Sequence, residues 1–432
     1  MSAEMAITDD VLVIGGGIAG ATTALAAAEE GVDVRLVTHK QSTLRNASGL
    51  IDVLGYTHEG EGPIVDPFER LEELPKGHPY ERVGTEAVRD ALSFFDAVAG
   101  DAYAGSHTDS NALVPTHGGT VKPTARYPVS TAAGLASDSQ DTLLVGFETL
   151  TDFDAPLAAS HLEAAGAPFS ARGVTLQFPG IVRDDAKLTR YAHLLDHEES
   201  VSTGSGDRSA REALASIVKP HLEGESRVGL PALLGDEHAA EVRADLAESL
   251  GAGVFEVPMG PPSLPGMRLE DLLYDALEDA GVRVTSGVPV VDYETDEAGA
   301  IDHVLVDRHG QEIPHEASQY VLATGGLVGK GVRSERDRVF EPIFDCYVPH
   351  ADDRYDWFVD DVFGEQPYAR FGLVPDRELR PLGADEEPEF SNLRAAGAVL
   401  GGYDYAAEKS GAGVSLATGY VAGGRAGTEA NR

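Results

Sequence analysis

Three glycines near the start of the chain have the spacing of a phosphate-binding loop. Gly15, Gly17 and Gly20 fit the pattern G-x-G-x-x-G. In such a loop the first glycine permits a tight turn, and the second lets the backbone approach a pyrophosphate. The third lets the following helix pack close to the preceding strand. The chemistry that this spacing indicates is the binding of a nucleotide cofactor.

The residues on either side predict the elements that hold this loop in place. Val11 to Ile14 is a short apolar run rich in β-branched residues, which is typical of a central parallel strand. An Ala-rich helix over 19–30 follows and ends at Gly31, so that its positive N-terminus faces the anion. Residues 32–37 alternate in polarity and predict a second strand. This order favours a nucleotide site over a glycine-rich turn without a ligand.

The end of the second strand departs from the usual dinucleotide pattern. An acidic residue normally binds the ribose hydroxyls there, but this sequence has Thr38, followed by His39 and Lys40. A threonine hydroxyl cannot replace the two acceptor oxygens of a carboxylate. The adenosine end of a dinucleotide is therefore held weakly or differently. Two cofactor identities stay open. One is a mononucleotide flavin, and the other is a 2′-phosphorylated cofactor, because Lys40 and Arg45 are near.

Later motifs extend the nucleotide-binding pattern along the chain. A Ser- and Gly-rich loop after the second strand predicts a contact with a flavin. An apolar strand that begins at Tyr320 ends in small residues, as it does in flavoproteins of the two-dinucleotide-binding type. The predicted flavin contacts in these two segments are Ser42, Ser48, Gly49, Ala323, Thr324 and Gly325.

The C-terminal region supplies the third motif. A short strand over 393–396 meets a turn at Gly397, and a glycine-rich stretch around Gly413 opens a helix. The N-terminus of such a helix can stabilise negative charge on a reduced flavin. The common flavoprotein form has Asp after the first glycine, whereas this chain has Ala398. Three motifs in this order predict a flavoprotein.

The charge of the chain limits its environment and its partners. The 432 residues include 33 basic and 72 acidic ones, a net charge of −39, with an ordinary hydrophobic content of 42%. Acids spread along a chain of this hydrophobicity indicate a folded protein in a high-salt cytoplasm, the alternative being an acidic surface for a basic partner. The same charge argues against binding nucleic acid or adhering directly to an anionic membrane.

Other residue types exclude further classes of site. Cys346 is the sole cysteine, so an intrachain disulfide and an iron–sulfur cluster ligated by this chain alone are excluded, and we expect a buried structural thiol. His193 and His197 are four apart, but no third ligand is evident, so no metal site is predicted. The apolar run over 11–28 is broken by glycines and predicts a buried strand and helix rather than a membrane span. The N-terminus lacks a secretory pattern.

These elements predict an α/β fold with two domains. A discontinuous, Rossmann-like FAD/NAD(P)-binding domain of the glutathione-reductase type covers 8–60 and 265–430. An inserted α+β cap or substrate domain covers 61–264, where nucleotide-binding features are missing. Within it, the Ser/Gly/Asp-rich segment 200–209 predicts an exposed loop.

Taken together, the sequence resembles the B subunit of anaerobic glycerol-3-phosphate dehydrogenase over nearly its full length. Its acidic composition suggests a haloarchaeal member. The segment that begins Pro261-Pro-Ser-Leu is the most diagnostic, and Thr38 is itself typical of the family. The other segments that carry the resemblance are 15–20, Gln41-Ser42, Ser48-Gly49, 113–124, 229–232 and 392–402.

The resemblance implies a cytoplasmic flavoprotein subunit, usually assigned FMN, with FAD as the alternative. It implies a larger FAD-containing A subunit and an iron–sulfur C subunit that ties the complex to the membrane and to quinone. The implied reaction oxidises sn-glycerol 3-phosphate to dihydroxyacetone phosphate in anaerobic respiration on glycerol.

The implied reaction needs a base for the hydroxyl proton and cations for the phosphate. His117, in a loop with two glycines, is the candidate base. Lys122, Arg126 and Arg268 are the candidate phosphate or cofactor ligands. Each also has a structural interpretation, as a solvated histidine or as a partner of surface acids.

Two other functions stay open. One is an assembly or electron-relay subunit that binds flavin but carries out no substrate chemistry, and the absence of both usual flavin-binding carboxylates favours it. A stand-alone oxidoreductase of the fumarate reductase class is the third possibility, but it requires a His- and Arg-rich dicarboxylate site, and no convincing cluster is found.

Overall fold

A computed structural model describes residues 6–40, 42–183, 186–204 and 206–432. The chain divides into two compact units. The first unit contains the residues up to Thr43 together with Asp52–Ala99 and Leu272–Arg432, and the second contains Leu44–Ile51 and Gly100–Asp271. Residues 61–99, which the sequence assigns to the cap, thus group with the first unit, whereas 44–51 group with the second. The inserted domain itself stays a prediction.

The helices of the described residues are α1 (Ile18–Glu29), α2 (Phe68–Leu71), α3 (Pro79–Val83), α4 (Thr85–Ala99), α5 (Ala155–Ala164), α6 (Leu188–Asp196), α7 (Ala210–Val218), α8 (Ala239–Leu250), α9 (Leu264–Asp279), α10 (Tyr405–Glu408) and α11 (Gly411–Ala430). None of them is long and apolar enough to cross a membrane.

The strands of the described residues are β1 (Ile7–Ile14), β2 (Val34–Thr38), β3 (Tyr103–Ala104), β4 (Ala112–Pro115), β5 (Val121–Thr124), β6 (Tyr127–Pro128), β7 (Thr142–Phe147), β8 (Ala171–Leu176), β9 (Ser200–Thr203), β10 (Gly206–Ser209), β11 (Arg227–Pro231), β12 (Gly253–Val257), β13 (Arg283–Ser286), β14 (Val290–Thr295), β15 (Ile301–Arg308), β16 (Gln311–Leu322), β17 (Arg333–Ser334), β18 (Val339–Phe340) and β19 (Leu393–Ala395).

The first unit is built on one sheet in the order β13-β2-β1-β16-β15-β14, with β19 also paired to β16. Strands β13, β2, β1, β16 and β19 run parallel, whereas β14, β15 and β16 form antiparallel hairpins. Val11 to Ile14 of β1 is fully buried, as a strand flanked on both sides must be. The predicted α/β nucleotide-binding fold is confirmed.

The second unit has its own sheet and core. Strands β12, β11, β7 and β8 are parallel neighbours in that order. Apolar residues of this sheet and of α5 to α8 form one buried cluster. The predicted loop over 200–209 is wrong in part, because β9 and β10 form a short antiparallel hairpin there, with residue 205 outside the described residues. Its Ser, Gly and Asp residues lack the apolar alternation that signals a strand.

Helices α1 and α11 of the first unit pack with little side-chain volume between them. A Cβ atom at Gly419 would lie 2.7 Å from the carbonyl oxygen of Ala19, and one at Gly423 would lie 2.2 Å from that of Thr23. One turn further, a Cβ atom at Gly427 would also touch α1. The spacing of four residues places these glycines on the same helix face. Close helix contact therefore requires them.

We predict that Gly423→Ala destabilises the protein, by about 1–3 kcal/mol, because the added methyl group overlaps the α1 backbone. Gly424→Ala is the matched control, since a Cβ at that position would have no described atom within 4 Å beyond its chain neighbours and the backbone of its own helix. Helix propensity makes this control neutral or stabilising by about 1 kcal/mol. Denaturant unfolding in molar potassium chloride measures both, and equal stability of the two variants would contradict the packing argument.

Candidate functional site

The glycine loop between β1 and α1 is closely packed at two of its three motif glycines. Gly15 has a φ of +120°, and a Cβ atom there would lie 2.2 Å from the carbonyl oxygen of Ala323. A Cβ atom at Gly20 would lie 1.8 Å from the carbonyl oxygen of Gly15. The protein's own backbone therefore requires these two glycines, whether or not a ligand is bound.

Gly17 differs from its two neighbours in the motif. Apart from its two neighbours in the chain, no atom of the described residues would lie within 4 Å of a Cβ atom at this position, and its φ of −80° is one that any residue adopts. Folding therefore does not require glycine here. A requirement for glycine arises only if a ligand approaches the backbone at the start of α1, as a phosphate does.

A buried hydroxyl lies in the second motif. The Oγ1 atom of Thr324 is shielded from solvent and has no hydrogen-bond partner among the residues that the structure describes. Buried hydroxyls are normally satisfied, so an unsatisfied one next to a ligand loop points to a group that is bound there. Together with the open space at Gly17, it fits a flavin nucleotide with polar phosphate and ribityl oxygens.

The three motifs that the sequence places far apart come together in the first unit. Gly15 meets Ala323, and a Cβ atom at Gly397 would lie 2.6 Å from the Cβ of Ala19. The backbone N–H of Gly397 donates a 2.8 Å hydrogen bond to Thr418 Oγ1 of α11. Gly325 closes the second motif with a φ of +82°. The predicted cofactor residues from these motifs thus surround one end of the sheet.

The ribose end of the loop is occupied by protein side chains. Thr38 ends β2, as predicted, and its buried hydroxyl donates to the carbonyl oxygen of Lys40 at 3.1 Å. The hydroxyl of Tyr274 donates to the carbonyl oxygen of Gly16 at 3.1 Å. A Cβ atom at Gly16 would lie 2.4 Å from the Tyr274 hydroxyl and 2.9 Å from that of Thr38. Thr38 therefore stands at the strand end where a carboxylate normally binds ribose, and the Tyr274 hydroxyl covers the neighbouring Gly16.

The first N–H groups of α11 already donate hydrogen bonds to Asp52. The backbone N–H of Gly413 donates to the Asp52 carbonyl oxygen at 2.7 Å, and that of Ala412 donates to Asp52 Oδ1 at 3.2 Å. The predicted use of this helix end, to stabilise negative charge on a reduced flavin, therefore competes with an acid of the protein. That use stays a prediction.

Motif analysis missed a buried cluster around Glu408, just before α11. His78 Nε2 lies 3.1 Å and His58 Nδ1 3.0 Å from its two carboxylate oxygens, and the Ser410 hydroxyl donates at 3.1 Å. Because His78 Nδ1 accepts the N–H of Tyr80, its Nε2 carries the proton. Burial raises the pKa of Glu408, but the His78 and His58 contacts outweigh it, and the pKa lies below its ordinary value.

The remaining predicted flavin contacts lie in two places. Ser42 is buried in the first unit. Ser48 and Gly49 belong to the second unit, where the Ser48 hydroxyl accepts from the N–H of Leu50 at 3.4 Å. Gly49 has a φ of +74°, and a Cβ atom there would lie 2.7 Å from Pro265 of the diagnostic segment. Gln41, adjacent to Ser42 in the sequence, lies outside the described residues.

His117 lies at the tip of the hairpin formed by β4 and β5. Its backbone N–H donates to the carbonyl oxygen of Pro258 at 3.2 Å, and its Nδ1 lies 3.3 Å from the same oxygen. A carbonyl oxygen only accepts, so Nδ1 must carry the proton in this contact, and Nε2 is left with the lone pair. That tautomer suits a proton acceptor.

Arg268 and Arg126, two of the cationic candidates, bond to other groups of the protein. Arg268 forms a two-pronged ion pair with buried Glu256, at 2.7 and 2.9 Å, and also donates to the carbonyl oxygen of Gly235. Burial raises the pKa of Glu256, but the Arg268 charge outweighs this and lowers it below its ordinary value. Arg126 donates to the carbonyl oxygens of Gly105 and Ala125. These contacts favour structural roles for Arg268 and Arg126 over the predicted phosphate contacts.

Lys122 lies on β5, opposite Val114 of β4. It thus belongs to the same hairpin as His117, in the second unit, together with Arg268. Among the catalytic candidates, Lys122 and His117 are the pair that one local element brings together. Cys346 is buried, as expected, and burial raises the pKa of its thiol above the ordinary value.

The pattern of the FAD binding domain family covers residues 10–414. A Halobacterium salinarum protein, named as a probable B subunit of anaerobic glycerol-3-phosphate dehydrogenase, is 62% identical over 97% of this chain and 98% of that protein. The B subunit of the anaerobic glycerol-3-phosphate dehydrogenase from Pectobacterium atrosepticum is 32% identical over 94% of this chain and 96% of that protein.

The chain belongs to this B-subunit family. The resemblance deduced from the motifs is thereby confirmed. Because the FAD binding domain pattern also matches, the chain is a member of a flavin-dependent oxidoreductase family. The likeness to a Halobacterium protein agrees with the halophilic composition. A 3-ketosteroid Δ1-dehydrogenase from Sterolibacterium denitrificans is 12% identical over 98% of this chain and 99% of that chain, with a TM-score of 0.46. A likeness at this level carries no argument about activity.

We predict that Gly17→Ala lowers flavin affinity of this B-subunit family member by at least about tenfold, while the midpoint of unfolding without flavin stays unchanged. The reason is that the added methyl group meets ligand and not protein. Gly20→Ala is the contrasting variant and should prevent stable folding, because its Cβ overlaps Gly15. Flavin titration and circular dichroism test both, and normal flavin binding by Gly17→Ala would contradict this placement of the cofactor.

Proposed function

We propose that this chain is the flavin-containing B subunit of an anaerobic glycerol-3-phosphate dehydrogenase. Its complex oxidises sn-glycerol 3-phosphate to dihydroxyacetone phosphate and passes the electrons to a quinone. The match to a protein of that name over 97% of this chain and 98% of that protein carries the proposal. The open space at Gly17 and the unsatisfied Thr324 hydroxyl support it, because they fit a flavin nucleotide.

We further propose that the flavin is FMN, with FAD as the alternative. FAD adds an adenosine whose ribose hydroxyls need an acceptor at the end of β2. In this chain the Thr38 hydroxyl donates to Lys40, and the Tyr274 hydroxyl lies over Gly16. Neither group offers the two acceptor oxygens of a carboxylate. The phosphate end of the loop keeps its glycines, so a mononucleotide retains its main contacts.

The substrate chemistry assigned to this chain rests on one hairpin. The flavin, when bound, supplies the hydride acceptor. His117 Nε2 accepts the proton of the substrate hydroxyl, since Nδ1 is held protonated against Pro258. Lys122, on the same hairpin, supplies a cation for the substrate phosphate. His117 and Lys122 are proposed catalytic residues in this sense, whereas Arg268 positions β12 through Glu256.

The proposed complex also contains an FAD-containing A subunit and an iron–sulfur C subunit. Cys346 is the sole cysteine, so clusters must be ligated by other chains. A cytoplasmic location with membrane attachment through the partners is consistent with a net charge of −39, which disfavours direct contact with anionic lipid.

A flavin relay or assembly role is the second candidate function. The internal bonds of Arg268 and Arg126 favour it, because they remove two cations from the set that would hold a substrate phosphate. In a relay the chain binds flavin and passes electrons, while the substrate is oxidised in a partner subunit.

We predict that flavin extracted from the chain, purified in molar potassium chloride, is FMN. Tyr274→Ala should raise FAD affinity about tenfold relative to FMN, because it opens the space over Gly16. Tyr274→Phe, which keeps the ring and removes the hydroxyl, is the matched control and should change this ratio less. Chromatography, mass measurement and flavin titration provide the readouts. Bound FAD in the unaltered chain would overturn the FMN proposal.

We predict that His117→Ala slows flavin reduction by glycerol 3-phosphate about 10²–10⁴-fold with unchanged flavin content, because the proton acceptor is lost. His107→Ala, at an exposed histidine of the same unit, is the control. Anaerobic stopped-flow absorbance measures the rate, with and without the A subunit. Reduction of the unaltered chain's flavin only in the presence of the A subunit, and equally with His117→Ala, would favour the relay.

A further inference from the structure

A glycine-rich turn follows the carboxyl end of β16 and continues the second cofactor motif. It covers 325–338 and is here named the basic turn. Because Gly15 lies against Ala323, the basic turn begins at the same edge of the sheet as the glycine loop that follows β1. A Cβ atom at Gly326 would lie 2.6 Å from the carbonyl oxygen of Ala398, in the third motif. In open parallel sheets, ligands bind at this carboxyl edge.

The basic turn has an excess of positive charge in a chain whose net charge is −39. Its two acids are Glu335 and Asp337, and its four bases are Lys330, Arg333, Arg336 and Arg338. The whole chain has 33 basic and 72 acidic residues. The local charge is thus opposite in sign to that of the chain, and it indicates an anionic ligand rather than the general acidity of the protein.

Three of the four bases are available to such a ligand. Arg338 is the exception, because it pairs with Glu335 at 3.2 Å and with Asp345 at 3.4 Å. The exposed bases that form no hydrogen bond or ion pair with the residues that the structure describes are Lys330, Arg333 and Arg336. Acids outnumber bases by more than two to one in this chain, so three neighbouring bases without an acidic partner are a local exception.

The backbone of Lys330 has a conformation that side chains rarely adopt. Its φ is +65°, in the left-handed region that favours glycine. The turn is fixed around it, since a Cβ atom at the neighbouring Gly331 would overlap the carbonyl oxygen of Gly325. Glycine would fit at position 330 without strain, so the fold does not explain a lysine there. Backbone strain of this kind is typically kept where a side chain has a function.

We propose that the basic turn binds the phosphate group of a phosphomonoester through Lys330, Arg333 and Arg336. A phosphomonoester dianion offers three acceptor oxygens, which suit the three donors of a lysine and the planar fork of an arginine. The inference rests on the proposed function, because the substrate and the product of that reaction are both phosphomonoesters. It adds cations of the first unit to Lys122 of the second unit.

High salt determines how these cations act. In molar salt the screening length is about 3 Å, so both the repulsion from the net charge and any long-range attraction are weak. Charge-assisted hydrogen bonds at contact distance remain. Binding therefore depends on individual cations rather than on the overall field, and the removal of one or two of them has a measurable effect.

The test measures binding of dihydroxyacetone phosphate to the flavin-loaded chain by calorimetry in molar potassium chloride. This probe is already oxidised, so no turnover occurs and no A subunit is needed. The double variant Lys330→Gln/Arg333→Gln should raise the Kd at least about tenfold with unchanged flavin content. Arg308→Gln is the matched control, because Arg308 is an exposed base of the same unit at the opposite, amino end of β16, and its Kd should not change.

A second variant separates binding from folding. Lys330→Gly should leave the midpoint of unfolding unchanged or higher, because glycine adopts a φ of +65° without strain, and it should still raise the Kd. A purely structural role for Lys330 would give the same stability without the loss of affinity. If the double variant loses its flavin or its circular dichroism spectrum, Lys330→Gly replaces it.

The outcomes distinguish this inference from the proposed function. An unchanged Kd in both variants, or a loss of affinity in Lys122→Gln alone, would overturn the inference and leave the proposed function intact. Binding to vesicles of phosphatidic acid, without binding of dihydroxyacetone phosphate, would assign the phosphate group to a lipid and also overturn it. Absence of flavin from the unaltered chain would contradict the proposed function itself.

Discussion

The first unit depends on close contacts between backbone segments at the glycine loop. Gly15 lies against the Ala323 carbonyl, and Gly20 lies against that of Gly15, at separations that leave no room for a Cβ atom. The same helix, α1, receives the glycine face of α11 on its other surface. The sheet, the loop and both helices can therefore pack together only while these positions stay small. Within this packed framework, Gly17 keeps the open space that a ligand needs.

Buried charges in this acid-rich chain are neutralised by specific partners. Asp9 is buried with Arg35, 2.6 Å away, and with Arg283, while Glu256 is buried with Arg268. Removing one member of such a pair leaves an uncompensated charge, so the arginine is needed for folding. In a chain with 33 basic and 72 acidic residues, basic side chains thus neutralise buried acids in addition to any ligand that they bind. Two of the candidate phosphate ligands illustrate the consequence, because their guanidinium groups bond internally.

Much of the fold follows from local patterns. The apolar run of β1, the glycine spacing and the Ala-rich helix predicted the strand–loop–helix unit of the first unit. The hairpin of β9 and β10 was missed because its residues carry no apolar alternation. The close packing of α1 and α11 was missed too, since the chain places these helices nearly 400 residues apart and glycine spacing does not identify the facing helix.

Local sequence was sufficient to predict a nucleotide site at the glycine loop, the order of the flavin motifs and membership of the B-subunit family. These features depend on residues close together in the chain, where spacing carries the signal. Three other features emerged from the folded chain alone: Tyr274 covers Gly16, Arg268 is paired with Glu256, and two histidines hold Glu408. Tyr274 and Gly16, for example, are 258 residues apart, so no local periodicity records their contact.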